Sequence, residues 1–347
     1  MIPNTAHGEP EPPDRRLLDA ARGGDGEAFR RLLEPYERAL HAHCYRMLGS
    51  VHDAEDALQD ARLRAWRGLA TFDAARSLRP WLYRIATNAC LDLIAKRPPR
   101  VTPIDCAPPS PIEQGPGRPL SEVAWLEPYP DEIAGIEDEY APPHARYEQR
   151  ESIELAFVAA LQHLPARQRA VLILREVLGF SAREVAQSLG TTAASVNSAL
   201  QRARATVGER LPERSQQATL RGLGDARLRS VVDEYVQAWE SRDVEAMRAM
   251  LVQDARFAMP PHPHWFRGRD AVVGFLVGTG RVPLRAITTS ANGQPAVAWY
   301  LRAPQTDAFS PASLEVLTLA GDRVSEITAF VWPELFERFG LPRSLPR

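Results

Sequence analysis

At 347 residues, with 44% hydrophobic and 25% charged side chains, the chain has the make-up of a soluble globular protein too long for one ordinary core, so two or three domains are expected. No run approaches the ~20 apolar residues that span a bilayer, and Met1–Asp14 lacks the basic-then-apolar pattern of a signal peptide, so a cytoplasmic protein with no membrane partner is expected. The net charge of −2 would exclude a nucleic-acid binder only if it were evenly spread, but residues 14–100 carry +4, residues 101–150 carry −7 and residues 151–215 carry +2.

Residues 1–13 are polar and proline-containing, and are expected to be disordered. Helical periodicity then dominates to Arg97. In Asp53–Leu69 the positions Ala54, Ala57, Leu58, Ala61, Ala65 and Leu69 make one apolar stripe. The opposite face carries Asp53, Asp56, Gln59, Asp60, Arg64 and Arg67, acidic first and basic last, as the helix dipole favours. Such a face can be merely solvated. The next helix starts near Leu78–Pro80 and buries Leu82, Ile85, Ala86, Ala89, Leu93 and Ile94. Its remaining surface carries Arg79, Trp81, Tyr83, Arg84, Asn88 and Lys96, with Phe72 in the preceding loop. Arginines interleaved with aromatic rings suit single-stranded DNA, charge following the phosphates and rings stacking on unpaired bases. Equally, Phe72 and Trp81 can simply cap the helical core.

Twelve of the 30 prolines fall between Pro98 and Pro143, so this acidic stretch is a linker, with a short ordered piece expected around Trp125–Tyr129. Helical pattern resumes near Tyr147 and runs to Val207. Ser181–Glu184 reads as a capping box, Val185, Ala186 and Leu189 as a buried face, and Gly190 as the residue that ends the helix. A second helix follows Thr191-Thr192, with Val196, Leu200, Ala203 and Val207 facing inward. Two short helices joined by a glycine-containing turn make a helix-turn-helix, and Ser195, Asn197, Ser198, Gln201, Arg202 and Arg204 would face base edges and phosphates. Helix pairs of this shape also occur in purely structural bundles.

After a polar stretch, Gly208–Gly224, a helix over Arg227–Gln253 is expected to lead into strands near Val297–Leu301, Leu314–Leu319 and Val324–Phe330. His262 and His264 lack a third ligand at a recognisable spacing, so a loop is preferred to a metal or a catalytic pair. Asp254, Tyr235 and Trp299 are candidate pocket residues, although ordinary packing explains them as well. Cys44, Cys90 and Cys106 are too widely spaced for a disulfide framework or a zinc site, and His41 and His43 sit on a helical pattern as core and surface residues. Neither a metal nor a cofactor is expected.

With both helical blocks in view, the chain resembles the extracytoplasmic-function (group 4) σ70 family, in particular its SnoaL-fused group of the mycobacterial sigma-G type. Tyr45–Gly49, Asp53–Asp60 and Arg79–Asp92 resemble σ region 2, and Leu164–Arg169 with the helix-turn-helix resembles region 4. Val232–Trp239, Asp254–Pro261 and Trp265–Val272 resemble the SnoaL-like (NTF2-like) fold, an α+β cone around a cavity. The resemblance implies a multidomain fold with two all-α modules and a C-terminal cone. It divides the chain into residues 14–97 (region 2), 98–146 (linker), 147–212 (region 4) and 225–340 (SnoaL-like regulatory domain). It also implies a σ factor, not an enzyme, that partners core RNA polymerase and promoter DNA. Asp56, Leu58, Gln59, Asp60, Arg64 and Trp66 would bind the clamp helices of the largest polymerase subunit. Phe72, Arg79, Trp81, Tyr83, Arg84, Asn88 and Lys96 would read and melt the −10 element, while Ser195, Asn197, Ser198, Gln201, Arg202 and Arg204 would read the −35 element.

The family often carries basic residues where this chain has Asn197 and Ala199, so Asn197 and Gln201 are expected to contribute amide contacts to adenine. The acidic linker, including Glu137, Asp138 and Glu139, either mimics the charge of the transcript in the RNA exit path or is a spacer. The C-terminal domain is expected to modulate polymerase binding or promoter opening, with an unidentified small-molecule ligand admitted. The competing reading is an NTF2-like isomerase or hydrolase fused to a helical DNA-binding module.

Overall fold

The computed structural model describes residues 14–134, 151–278, 282–302 and 308–346. Glu137, Asp138, Glu139 and Tyr147 lie outside the described residues. The described chain divides into two compact units, one built chiefly from residues 14–98 and 161–209, the other from residues 99–132, 151–160 and 210–346.

The first unit is all helix. Helices α1 (Arg15–Arg22), α2 (Gly26–Leu48), α3 (Val51–Gly68) and α4 (Leu78–Ile94) form its first bundle. Asp25 opens α2 by accepting from the N–H groups of Glu27 and Ala28, and Gly49, in the left-handed region, closes it. Ser50 then caps α3 at once, so α2 and α3 join through a minimal turn. Small side chains let the helices approach closely: Ala54, Ala57, Ala86, Ala89 and Cys90 are all fully buried around Tyr45 and Met47. Helices α5 (Leu155–Gln162), α6 (Ala166–Leu172), α7 (Ala182–Leu189) and α8 (Ala193–Gly208) follow, the boundary between the units falling inside α5. The Ser181–Glu184 capping box forms, with Glu184 N–H donating to Ser181 Oγ at 3.2 Å and Ser181 N–H to Glu184 Oε2 at 2.7 Å. Gly190 ends α7 in the left-handed region and Thr192 caps α8, which completes the helix-turn-helix.

A buried arginine knits this unit together. Arg169 of α6, 3% exposed, donates Nη1 to the Met47 carbonyl at the end of α2 and to Gln162 Oε1 at 2.6 Å. Its Nη2 donates to the carbonyls of Gln162 and Leu164 at 3.0 and 3.3 Å. Burial draws its pKa down to about 10, still far above neutrality, so the guanidinium stays charged.

The second unit is an α+β domain with a six-stranded sheet in the order β2-β1-β6-β5-β4-β3. Its strands are β1 (Leu251–Ala258), β2 (Trp265–Arg267), β3 (Leu284–Ala291), β4 (Gln294–Arg302), β5 (Phe309–Ala320) and β6 (Arg323–Phe330). β1 runs parallel to β6 and every other pairing is antiparallel. Asn292-Gly293, both at positive φ, makes the tight β3–β4 turn. Helices α9 (Gln216–Leu223), α10 (Asp225–Ser241), α11 (Val244–Met250) and α12 (Arg269–Gly278) belong to the same unit. The helix expected over Arg227–Gln253 is corrected to two: α10 stops at Arg242, which turns left-handed at φ 56°, and Asp243, where the sequence also suggests a turn, re-caps α11. By Leu251 the chain is already in β1.

The proline-rich segment 99–132 packs onto this second unit as a strap. Trp265 Nε1–H donates to the Ala107 carbonyl at 2.7 Å, and Ser110 N–H donates back to the Trp265 carbonyl at 2.8 Å. His262 and His264 donate through Nδ1 to the carbonyls of Gly117 and Gly115 at 2.8 and 2.9 Å, since a carbonyl can only accept. Gly117 sits at φ +75°, where a Cβ would lie 3.2 Å from the His264 ring. The two histidines therefore supply donors to a chain that proline prevents from pairing with itself. Trp125, Leu126 and Tyr129 are buried, and Tyr129 exchanges hydrogen bonds with Asn292.

Candidate functional site

Three surfaces of the helical unit and one cavity of the second unit gather the residues of interest. On α3, Asp56, Gln59, Asp60 and Arg64 line the outer face, and Arg64 bridges Asp60 and Asp92 at 2.7 and 2.8 Å. Leu58 instead lies in the core. Two large apolar side chains stand among these charges: Leu63, 52% exposed, and Trp66, 37% exposed and held edge-on by Phe29 at 5.0 Å. Leu63 was not singled out from the sequence, yet its signal is there, because it is the one leucine of the helix outside the buried stripe.

On α4 the expected DNA-facing residues divide. Arg84, Asn88 and Lys96 are exposed. Phe72 and Tyr83 are buried, and Trp81 is half-buried against Phe72 with ring centres 4.8 Å apart. Tyr83 packs between His43 and Phe180, at 5.3 and 5.5 Å. Arg79 donates to the Leu178 carbonyl at 2.8 Å and lies 4.4 Å above the Phe180 ring, so its charge meets the turn that precedes the helix-turn-helix. His43 is fully buried, hydrogen-bonds Thr87 Oγ1 at 2.9 Å, and is held neutral by burial, its pKa drawn down to about 3.

On α8 all of Ser195, Asn197, Ser198, Gln201, Arg202 and Arg204 are exposed, above a buried row of Val196, Leu200, Ala203 and Val207. Arg204 is paired with Glu176. The exposed face is a row of amide, hydroxyl and guanidinium groups on a capped, well-seated helix, the chemistry that reads base edges in a major groove.

In the second unit, the sheet and helices α10–α12 enclose a cavity of about 400 Å³, within the range of small-molecule pockets. Glu315 of β5 lies on its wall, 4% exposed, and accepts on Oε2 from Tyr235 Oη–H and Trp299 Nε1–H, both at 2.7 Å. Burial outweighs those two bonds and pushes the carboxyl pKa up to about 7. The candidate trio from sequence is thereby amended. Trp299 lines the cavity and Tyr235 orients its carboxyl, but Asp254 is exposed on β1 and is not part of the wall. Glu315 was missed because a single glutamate in an otherwise apolar strand gives no sequence pattern to find.

Comparison with known proteins gives these surfaces a context. The Sigma-70 region 2 family profile matches residues 32–98, the Sigma-70 region 4 profile residues 154–207 and the SnoaL-like domain profile residues 232–327. Over 348 aligned residues the chain is 42% identical to the ECF RNA polymerase sigma factor SigG of Mycobacterium tuberculosis (strain H37Rv), covering 95% of this chain and 91% of that relative. The chain belongs to the ECF σ factors. This σ factor is also 31% identical over 204 residues to SigM of the same organism, across 59% of its own length and 87% of SigM. The crystal structure of M. tuberculosis SigJ matches its fold with a TM-score of 0.57 at 21% identity, covering 90% of this chain and 99% of that one. As an alternative σ factor, the protein directs transcription initiation through regions 2 and 4, and it carries a SnoaL-like domain behind them. Among the described residues, no helix is long and apolar enough to cross a membrane.

Proposed function

We propose that this σ factor docks on core RNA polymerase through the outer face of α3, reads and melts the −10 element with α4 and the turn before it, and reads the −35 element with α8. Residues 14–97, 147–212 and 225–340 are the working domains of that reading, and the cytoplasm is its setting. The observation that carries it is the exposed pair Leu63 and Trp66 set among Asp56, Gln59, Asp60 and Arg64. Large apolar groups held in water within a charged rim are what a partner's helices cover. The clamp helices of the largest polymerase subunit are the partner proposed, and Leu58 supports this face from beneath. Arg84, Asn88 and Lys96 are free to follow DNA, while Arg79, Trp81, Tyr83 and Phe72 serve as its packed support until promoter DNA engages them.

The second unit modulates initiation by binding, not by catalysis, and Tyr235 and Trp299 hold its one cavity carboxyl in place through a single oxygen. The test of docking is the affinity of the full-length protein for core polymerase. Trp66→Ala and Leu63→Ala are each expected to weaken binding about tenfold or more, as a truncated interface anchor does. Unchanged affinity in both variants removes α3 as the docking face.

A further inference from the structure

Helix α1 lies ahead of the region 2 match, which begins at residue 32. Only Leu18 and Ala21 of its eight residues are buried, so packing alone gives it little reason to form. Its last residue does more. Arg22 donates through Nε to the Leu69 carbonyl at 3.3 Å and through Nη2 to the Phe72 carbonyl, while Nη1 lies 3.7 Å from Asp19. Leu69 opens the tight helical turn Leu69–Thr71 at the end of α3, and Phe72 caps it. The turn already closes itself, because Phe72 N–H donates to the Leu69 carbonyl at 3.2 Å. Arg22 is therefore not needed to form the turn; its planar fork fixes the turn to α1.

What rests on that turn is the apparatus proposed for the −10 element. Trp81 lies against both of its ends: its ring centre is 4.8 Å from that of Phe72, and a Cβ on Gly68 would come within 3.3 Å of its Cζ2. The largely exposed loop Asp73–Ser77 follows, ordered from within by Asp73, which accepts from Ala75 N–H at 3.0 Å and from Arg76 Nε–H at 3.2 Å. A loop with internal order still swings as a body if its stem is loose. We propose that Arg22 is a positioning residue for −10 recognition. By holding the Leu69 and Phe72 carbonyls, it keeps the Asp73–Ser77 loop and the Trp81 ring set to receive an unpaired base before DNA arrives. The inference rests on the −10 reading proposed for α4 and the turn before it. A base that must order its own pocket loses affinity by the cost of that ordering, which a preformed pocket avoids. The cost falls only on a base that enters the pocket, so Arg22 acts on discrimination between bases and not on the general hold on phosphates.

Holoenzyme assembled from the full chain and core RNA polymerase is titrated, by fluorescence anisotropy, against the labelled non-template strand of the −10 element of a promoter it transcribes. The same strand is then titrated with an abasic site at each −10 position in turn. The ratio of the two affinities measures discrimination and does not depend on how much of the protein is active, so a loss of stability alone leaves it unmoved. The unaltered holoenzyme should prefer the intact strand about tenfold or more at one position at least. Arg22→Ala should lower that ratio about fivefold, equivalent to one ordinary hydrogen bond, with affinity for core polymerase unchanged. Arg22→Lys should recover part of the loss, since an ammonium can reach one of the two carbonyls but cannot span both. If Arg22→Ala does not fold, Arg22→Lys decides by the same ratio, which should then fall about twofold or more. An unchanged ratio, or a loss of core-polymerase affinity in step with it, overturns the proposal. No preference in the unaltered holoenzyme removes the −10 reading itself and this inference with it, whereas a preference that the Arg22 variants leave intact removes the inference alone.

Discussion

Arg169 and Glu315 are both ionisable side chains buried to within a few per cent, one in each unit, and they are buried in opposite ways. Arg169 meets four oxygens spread over the ends of α2, α5 and the turn before α6, so both of its terminal nitrogens are engaged. Glu315 meets two donors on one oxygen and borders a cavity. A buried charge shared among the ends of several elements is architecture, fixing those elements to one another. A half-engaged one beside empty volume is a site. Burial alone does not separate these roles; the count of partners and the adjoining space do.

The comparison can be broken most forcefully at Arg169. Arg169→Met removes the charge and orphans several carbonyls at once, and is expected to destabilise the helical unit by about 3–5 kcal/mol in urea unfolding followed by circular dichroism. Arg169→Lys should recover little of this, because an ammonium cannot span four acceptors in a fixed fork. A loss below 1 kcal/mol would mean that the arginine is incidental to the unit.

Glu315 offers the sharper test, because its effect has a sign that depends on pH. An unfolded glutamate titrates near 4.5, while the folded group titrates at about 7, so between these values the folded chain holds the extra proton. The stability associated with the neutral carboxyl is complete below pH 4.5 and drains away as pH rises to 7. Glu315→Gln should abolish that slope, and the difference between wild type and variant should change by about 3 kcal/mol across the window. Glu154 is also buried and pushed up to about 7, and it contributes its own slope to both proteins, so only their difference isolates Glu315.

The helical unit should show the reverse trend on the acid side. His43 is neutral when folded and titrates near 6.5 when unfolded, so the unfolded chain takes up the proton first and stability falls as pH drops below 6.5. At pH 5 this costs about 2 kcal/mol relative to pH 7, and His43→Gln should remove most of the dependence. A His43→Gln variant whose profile between pH 7 and 5 runs parallel to that of the wild type would show His43 to be solvated. The smallest effect is expected at the exposed amide row, where nothing is buried. Asn197→Ala should leave folding unchanged and cost about 1–2 kcal/mol at a single base position of the −35 element, measured by promoter binding to the holoenzyme across base substitutions. Equal affinity for every base series would remove Asn197 from the readout.

Periodicity exposed the helical stripes, the capping box at Ser181 and the helix-turn-helix, because these are local patterns written within a few residues of one another. Local pattern could not reveal that Tyr83 and Arg79 are engaged by Phe180, since that contact joins residues about a hundred positions apart. The break at Arg242 is hard to place from periodicity, because the apolar spacing of α10 carries on into α11 and β1; the turn legible at Asp243 is its one local mark. Glu315 escaped because a lone carboxyl in a strand means nothing until the fold puts Tyr235, Trp299 and a cavity around it. Nor did proline content show that segment 99–132 packs onto a sheet built much later in the chain, because its anchors are backbone carbonyls, which every residue has.

That strap sets an order of events during synthesis. Residues 99–132 leave the ribosome well before β1–β6 exist, so Trp125, Leu126 and Tyr129 must wait with their apolar faces uncovered while region 4 is still being translated. At about 5–20 residues per second the wait is many seconds, long enough for the helical blocks to fold first. Prolines suit such a delay: a segment that can neither coil into a helix nor zip into a sheet holds itself open until its partner arrives.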